Sequence, residues 1–590
     1  MTELYIDNQP VVLGKDSSFE MIDQNPFFTK NGTITLEITL SLLNPENARI
    51  YKHYNRINNE LAIVSNRTAR LIVDNKVLID GSEIILEITE KEVKIQLASG
   101  ESELNYFIGG ERKLHDLDLG RIEYQNDTST AGYTYTPIYS SNENKIRNDY
   151  SITMSRDSAG HETITSIGPL RDIPQTYLYH AINLVIKALG YKKKSSVFDP
   201  NTGSETWYYS LLFIVNGISS FGYANRKMKF NRTLPNWTVN EFFTEIEKLF
   251  AVVFLIDKNT KDVNIVFQKD FYTNSKKYYI LELVDEYSQK VDVDNKNGYS
   301  IANIGYSLPS DDYFDLQNID PEILDVIAGN VVDEKENFNE ILAAINNESN
   351  KDLLKRKLFY SKESDTQYIC YEEESENGTK TFYPQKVNLF APIRNNPDSD
   401  EIDIELKITP APIKTVDIDV YALGTYEFSL RTQMPVITTG TYTEEFYDIQ
   451  TAIEEGMNNS ENNQLMLAFD ATIRSYQPGD ESDYSNRWLY FKAAHVDCFE
   501  ADFYKTKEGF NHQFSLRLRG KYGLQSLYEN TINIDTTREY TFKFIHNTIP
   551  DTKAIFVINN KEFVCVELKY TINPKGMHPV IEGKFFQVMD

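Results

Sequence analysis

Cysteine is scarce in this chain of 590 residues. Cys370, Cys498 and Cys565 are the whole supply, and no two sit in CxxC spacing. Three thiols so far apart exclude a disulfide framework and make no zinc motif. They suit synthesis in a reducing cytoplasm. Cations are also in short supply: 60 Lys and Arg stand against 87 Asp and Glu, a formal net charge of −27. Broad affinity for nucleic-acid phosphates or anionic membranes needs cationic patches, so both are disfavoured. No run reaches the roughly 18 consecutive apolar residues of a membrane span. Met1 to Val12, with Glu3 and Asp7, does not read as a secretory signal. HExxH, GxSxG, Walker A and GxGxxG motifs are missing too. So are a fixed-period repeat and sustained heptads, which argues against a fibrous shaft.

What is present argues for a folded, multidomain chain. The sequence is 41% hydrophobic and 13% aromatic, with 38 Tyr and 33 Phe. Disordered chains are poor in aromatics. A length of 590 residues exceeds one core and suggests roughly three or four domains. The Tyr excess fits an assembly component, since Tyr offers an apolar body with a polar tip. It fits a β-rich protein equally well. The acidic surface suits plain solubility first, and the wall of a channel that lets DNA pass second.

The clearest local signal is Leu234 to Phe267. Thr238 and Glu241 form a T-x-x-E capping box, and Trp237 with Phe242 a hydrophobic staple. Val239, Phe242, Phe243, Ile246, Leu249 and Phe250 share one helix face. A strand is expected from Val252 to Ile256, a turn over Asp257 to Lys261, and a second strand carrying Val263, Ile265 and Phe267. The unit reads as a capped helix feeding a hairpin.

Residues 1–110 read as β. Ile34, Leu36, Ile38 and Leu40 alternate as one half-buried strand. Asn44 and Pro45 start a short helix through Tyr54. Strands follow at Leu71–Val73, Val77–Ile79, Ile84–Thr89 and Val93–Leu97, with turns at Asp74-Asn75 and Asp80-Gly81. Residues 111–170 lack apolar periodicity, and Tyr124 to Arg156 reads as a long loop or arm. Residues 171–310 are α/β. Leu178, Ile182, Val185 and Leu189 face one way on a helix that Gly190 ends. Lys192, Lys193 and Lys194 suit that helix terminus better than a nucleic-acid patch. Leu211–Val215, Ile218–Phe221 and Tyr278–Leu283 look like strands. In 311–360, helices are expected after Pro321, around Phe338 to Ile345, and at Leu353, Leu354 and Leu358. Residues 361–590 return to β. Strands are expected at Ile402–Ile408, Val416–Tyr421, Arg487–Ala493, Gln513–Arg519, Tyr540–Phe544, Ala554–Ile558 and Phe563–Tyr570. Asn559-Asn560 suits a hairpin turn, and surface loops are expected at Pro397 to Glu401 and Asn458 to Asn463. The fold class is therefore α+β, mostly β: two barrel- or sandwich-like β regions flank a smaller α/β domain and a short helical connector.

Three stretches resemble one family. The Leu-Pro-Asn-Trp-Thr-Val run from Leu234, with its following hairpin, resembles tail hub or baseplate hub proteins of tailed phages, in particular those of phages and prophages of Bacteroides-type bacteria. The run Ile558 to Glu567 with Lys575-Gly576-Met577 and Gly583 to Phe586 is similar as well, and so is the opening Leu4 to Pro10. The resemblance implies a structural virion protein: a homotrimeric ring closing the tail tube, with 1–110 and 361–590 as its barrel-like regions. Its implied partners are the tube protein, a spike or tip protein and other baseplate proteins. DNA would pass through without sequence-specific binding, and no stable membrane insertion is implied. The implied location is the virion tail, assembled in the bacterial host cytoplasm.

No residue takes a catalytic, cofactor-binding or metal-binding role on this reading, and no cofactor is expected. The tightest titratable cluster, His495-Val496-Asp497-Cys498, sits in a strand-like run and reads as structural. The acidic run Asp398 to Asp403 lacks the Gly and the closing Glu of a calcium loop, with Thr409 at the twelfth position. Glu372-Glu373-Glu374-Ser375-Glu376 reads as a solvated loop. Two alternatives stand beside the hub: a tail-associated glycan hydrolase using an Asp/Glu pair, whose geometry lives only in the fold, and a receptor-binding adhesin.

Overall fold

The computed structural model describes residues 1–29, 32–59, 67–100, 112–123, 132–140, 144–148, 151–156, 158, 162–167, 173–200, 206–215, 227–257, 260–273, 275–293, 303–308, 332–355, 357–374, 378–387, 402–422, 425–437, 465–470, 494–495, 515–521, 523–528, 532–546 and 548–589. Outside them lie the expected strands Ile218–Phe221 and Arg487–Ala493, the helix after Pro321, the loops 397–401 and 458–463, and the residues 496–498.

Strands dominate, as the alternating runs suggested, and the two ends of the chain share one sheet. Its strand order is Gln9–Val11, Thr2–Ile6, Thr68–Val73, Lys76–Ile88, Glu92–Ser99, Thr33–Thr35, Phe19–Gln24, Lys561–Asn573, Gly576–Val588, Ile534–Ile545, Ser288–Val291. Ile38–Ser41, Lys277–Ile280 and Ile555–Ile558 attach to the side of that path, giving fourteen strands among the described residues. The join is antiparallel, with Phe19 opposite Ile572 and Met21 opposite Tyr570. All four side chains are buried in one hydrophobic cluster that both ends supply. This sheet is open, and no sheet among the described residues closes into a barrel.

Several local expectations change here for physical reasons. Ile34 to Leu40 is not one strand. Thr33 and Thr35 point inward on the first piece, Ile38 and Leu40 on the second, and Leu36 is exposed. Ile34 opposes Ala98 while Ile38 opposes Ile95, so four residues span three of the partner. One extra residue flips the face, because side chains alternate with period two. Asp74 and Asn75 do form a hairpin turn, with φ of 51° and 63°. Asp80-Gly81 does not turn; it lies inside the strand Lys76–Ile88. Glycine is required there by proximity, since a Cβ would sit 2.0 Å from the Ala98 carbonyl oxygen. The helix capped by Asn44 spans Pro45–Ile50 and stops short of Tyr54. Lys52 and His53, at φ of 47° and 55°, leave the helical region.

The stretch expected as a loop, 124–156, carries strands where it is described. Ile138–Ser140 pairs with Lys145–Arg147 and, in parallel, with Thr425–Ile437. Ser151–Arg156 pairs with Glu162–Ile167 and with Ile413–Ala422. The missing periodicity is explained by pairing with strands far along the chain, which supply the order that local pattern does not.

The α/β unit holds the second large core. Its helices are Leu178–Ala188, followed by Gly190 at φ 84°, and Val239–Phe250. Lys192–Ser196 is a strand parallel to Asp262–Phe267, so the three lysines line a sheet edge rather than a helix end. Leu211 closes a short 3-10 turn, and only Leu212–Ile214 is strand. The helical connector is one layer of a small unit. Phe338–Asn347 buries Ile341 and Ile345 against Leu354, Phe359, Tyr368 and Cys370. Four strands lie beneath: Val332–Lys335, Leu358–Ser361, Thr366–Glu374 and Lys380–Val387. Leu358 is strand, not helix. Residues 515–521 form no regular strand; Tyr306 donates its hydroxyl proton to the Leu516 carbonyl.

Candidate interaction surface

The helix Val239–Phe250 shows how its residues divide between scaffold and surface. Thr238 accepts from the Glu241 amide at 3.1 Å, the first half of the expected capping box. The second half is absent. The Glu241 carboxylate instead takes Lys407 Nζ at 2.7 Å, and Glu245 accepts the Lys407 amide at 3.1 Å. Val239, Phe242, Phe243, Ile246, Leu249 and Phe250 are all buried, with Trp237 beside them. Tyr528 donates to the Lys248 carbonyl. The helix thus clamps segments from far along the chain, and none of its apolar residues faces a site.

Chemistry is sparse around the other sequence candidates. Among the described residues no group of three His, Cys, Asp or Glu is placed to hold a metal. An apolar cleft lined by Ile186, Leu189, Tyr191, Phe243, Phe254, Ile256 and Val263 offers about 10 Å3, room for roughly one water. His495 is paired opposite Phe469 at a sheet edge. Asp403 accepts the Asn303 amide at 2.9 Å. Glu372 stands on a strand, not in a loop, and is bracketed by Lys355 and Lys380. Hydrogen bonds from Lys355 and then Lys380 hold its carboxyl below the usual range. Burial pushes the Cys565 and Cys370 thiols up, away from the reactive thiolate form.

Buried charge serves as anchorage. Arg67 reaches Glu83 at 2.7 Å through Nε, donates to the Ile50 carbonyl at 3.0 Å, and lies 4.4 Å from the Tyr51 ring. Burial raises Glu83; the Arg67 charge and the Tyr51 hydroxyl pull it back. A second anchor joins the small unit to the α/β core. Arg517 donates to the Asp365 carbonyl at 2.6 Å, and Tyr360 donates to Oδ1 of Asp365 at 2.7 Å. Removing one member of such a cluster strands the others without water.

Exposed apolar residues are spread over the large sheet, with Leu43 and Ile57 in its first part and one group along residues 279–293. Leu281 is 91% exposed and Val291 59%, and Tyr279, Val284, Tyr287, Val293 and Ile545 are exposed too. All four residues of the terminal strand Ser288–Val291 are exposed. Among the described residues it pairs on one side only, Ser288 opposite Thr541 and Lys290 opposite Glu539, and the Asp292 amide continues the ladder to Thr537 at 2.9 Å. Antiparallel bonds alternate, so Gln289 and Val291 direct their N–H and C=O outward. Tyr287 rests on Phe542 with centroids 5.6 Å apart, which extends the sheet's inner apolar face to this edge.

The opposite edge is closed. Gln9–Val11 follows a two-residue turn at Asp7 and Asn8, with Ile6 opposite Gln9. The outward nitrogen of that strand is therefore Pro10, which carries no hydrogen. At the next outward position, Val12, the Asn47 side chain takes both backbone groups: Oδ1 accepts the amide at 2.9 Å, and Nδ2 donates to the carbonyl at 2.9 Å.

Comparison with known proteins gives a narrow result. No family model matches the chain, and no curated protein does. Two solved structures align with it at low TM-score. One is the 43 kDa tail protein of prophage MuSo2 from Shewanella oneidensis, with 6% identity and a TM-score of 0.31 over 99% of this chain and 96% of that one. The other is the tail protein from Neisseria meningitidis MC58, with 6% identity and a TM-score of 0.30 over 100% and 96%.

Sequence reasoning found neither edge. Ser288 to Val293 is too short and mixed for a period-two signal. Pro10 stands within three residues of a turn and reads as turn chemistry.

Proposed function

We propose that this chain is a structural protein of a phage or prophage tail, and within the tail a hub: a ring of three copies that connects the tube to a spike or tip and lets the genome pass. One observation carries the reading. The stretches that resemble the hub family are scaffold here, and the first and last of them are strands of one sheet whose open edge is exposed, with Tyr287, Val291 and Val293 among polar residues. Leu234 to Phe267 fills the second core. A hub works mechanically, through faces that hold other proteins, so its recognisable residues belong in cores and its working residues on exposed apolar edges. The net charge of −27 gives passing DNA no broad cationic surface to hold. Host-wall digestion would belong to another protein.

The test is the mass of the purified protein by light scattering, with negative-stain images. A ring with three times the single-chain mass of 68.2 kDa supports the hub. A strict monomer at every concentration that also fails to sediment with purified tail tubes refutes it.

A further inference from the structure

We infer that the strand Ser288–Val291 is a self-pairing edge: free copies of the chain join through it, antiparallel, across a twofold axis centred on Val291. The backbone of Gln289 and Val291 points outward and is exposed. Unpaired edge groups next to exposed apolar side chains are a template for another strand. The nature of that strand follows from the charges on the edge itself. At the far end of the strand order Pro10 with Asn47 closes the edge, while Ser288–Val291 carries Lys290 and Asp292 on either side of Val291 and so matches a second copy of itself in charge. A like edge is the complement in charge, and like edges meet only across a twofold.

Charge selects the register. Centring on Val291 sets Lys290 of each copy opposite Asp292 of the other, at the non-hydrogen-bonded positions where side chains come closest. A one-step slip to either side sets Lys290 against Lys290 or Asp292 against Asp292. In the Val291 register two unlike pairs form, the two Val291 side chains meet, and Gln289 faces Val293. The contact differs from ring closure, because a threefold ring cannot bring an edge to its own equivalent. It therefore stands or falls apart from the hub reading.

Sedimentation equilibrium of the full chain over a range of concentrations tests it. The expected mass carries a factor of two: twice the 68.2 kDa of one chain, or six times it where rings also close. Val291→Pro removes the central outward N–H and should halve the mass. Lys290→Asp should raise the dissociation constant about tenfold, since two like-charge pairs replace two unlike ones. Lys290→Asp with Asp292→Lys should restore it, which a merely misfolded variant would not do. The mass of a single chain, or of three chains, at all concentrations overturns the inference. So does an even mass that survives Val291→Pro, or a double variant that stays dissociated. Absence of any factor of three would count against the hub instead.

Discussion

The two ends of the large sheet treat the same problem in opposite ways. At Gln9–Val11 the outward nitrogen belongs to proline, and the next outward backbone pair is held by Asn47. At Ser288–Val291 the outward groups meet only solvent among the described residues, and apolar side chains flank them. An unpaired edge risks aggregation, and natural sheets blunt it with proline, bulges or a covering side chain. Here one edge has its outward backbone groups removed or capped, while the other keeps them and carries only its short length and Lys290 against pairing. The asymmetry within one sheet is what the proposed self-pairing draws on.

The comparison can be sharpened by separating stability from association, beginning with the largest effect. Trp237→Ala truncates a buried side chain of the second core, outside the large sheet's own hydrophobic cluster. It should cost about 3–5 kcal/mol in chemical denaturation and leave association of the folded protein unchanged. An unchanged melting temperature would show that Trp237 is not core. Asn47→Ala attacks the closed edge. It leaves the Val12 amide and the Val12 and Ser41 carbonyls without the side chain that serves them. A loss of about 2–3 kcal/mol is expected. Pro10→Thr restores an outward donor at the closed edge. Stability should move by less than about 0.5 kcal/mol, while concentration-dependent self-association should rise; no change in association would mean that Asn47 alone closes this edge. The smallest effect concerns the edge strand Lys380–Val387 of the small sheet, which Glu372 fastens to its neighbour through Lys380. The Glu372 carboxyl is depressed below its ordinary value of 4.5, so its contribution is present above that value and is lost as pH falls through the lower folded one. Thermal melts of the wild type and Glu372→Gln should differ slightly at pH 6 and converge near pH 3. A gap that persists at pH 3 would show that the charge is not what fastens the strand.

Local signals determined much of this protein. Capping chemistry at Asn44 and Thr238, the apolar face from Val239 to Phe250, the strand Val252–Ile256 and the turns at Asp74-Asn75 and Asn559-Asn560 all stand as read, because each depends on residues a few positions apart. Alternating apolar runs and turn residues indicated that strands would dominate. What escaped the sequence depends on partners distant in the chain. Glu241 left its capping box for Lys407, 166 residues away. Gly81 reads as a turn until Ala98 is brought against it. The strands within 124–156 are ordered by pairing near residues 413–437. The joining of the first and last strands into one sheet, and with it which edge is closed and which is open, is decided by hydrogen bonds that any extended segment can make. Backbone N–H and C=O groups are nearly alike in every residue. Only the tertiary structure could say which segments meet.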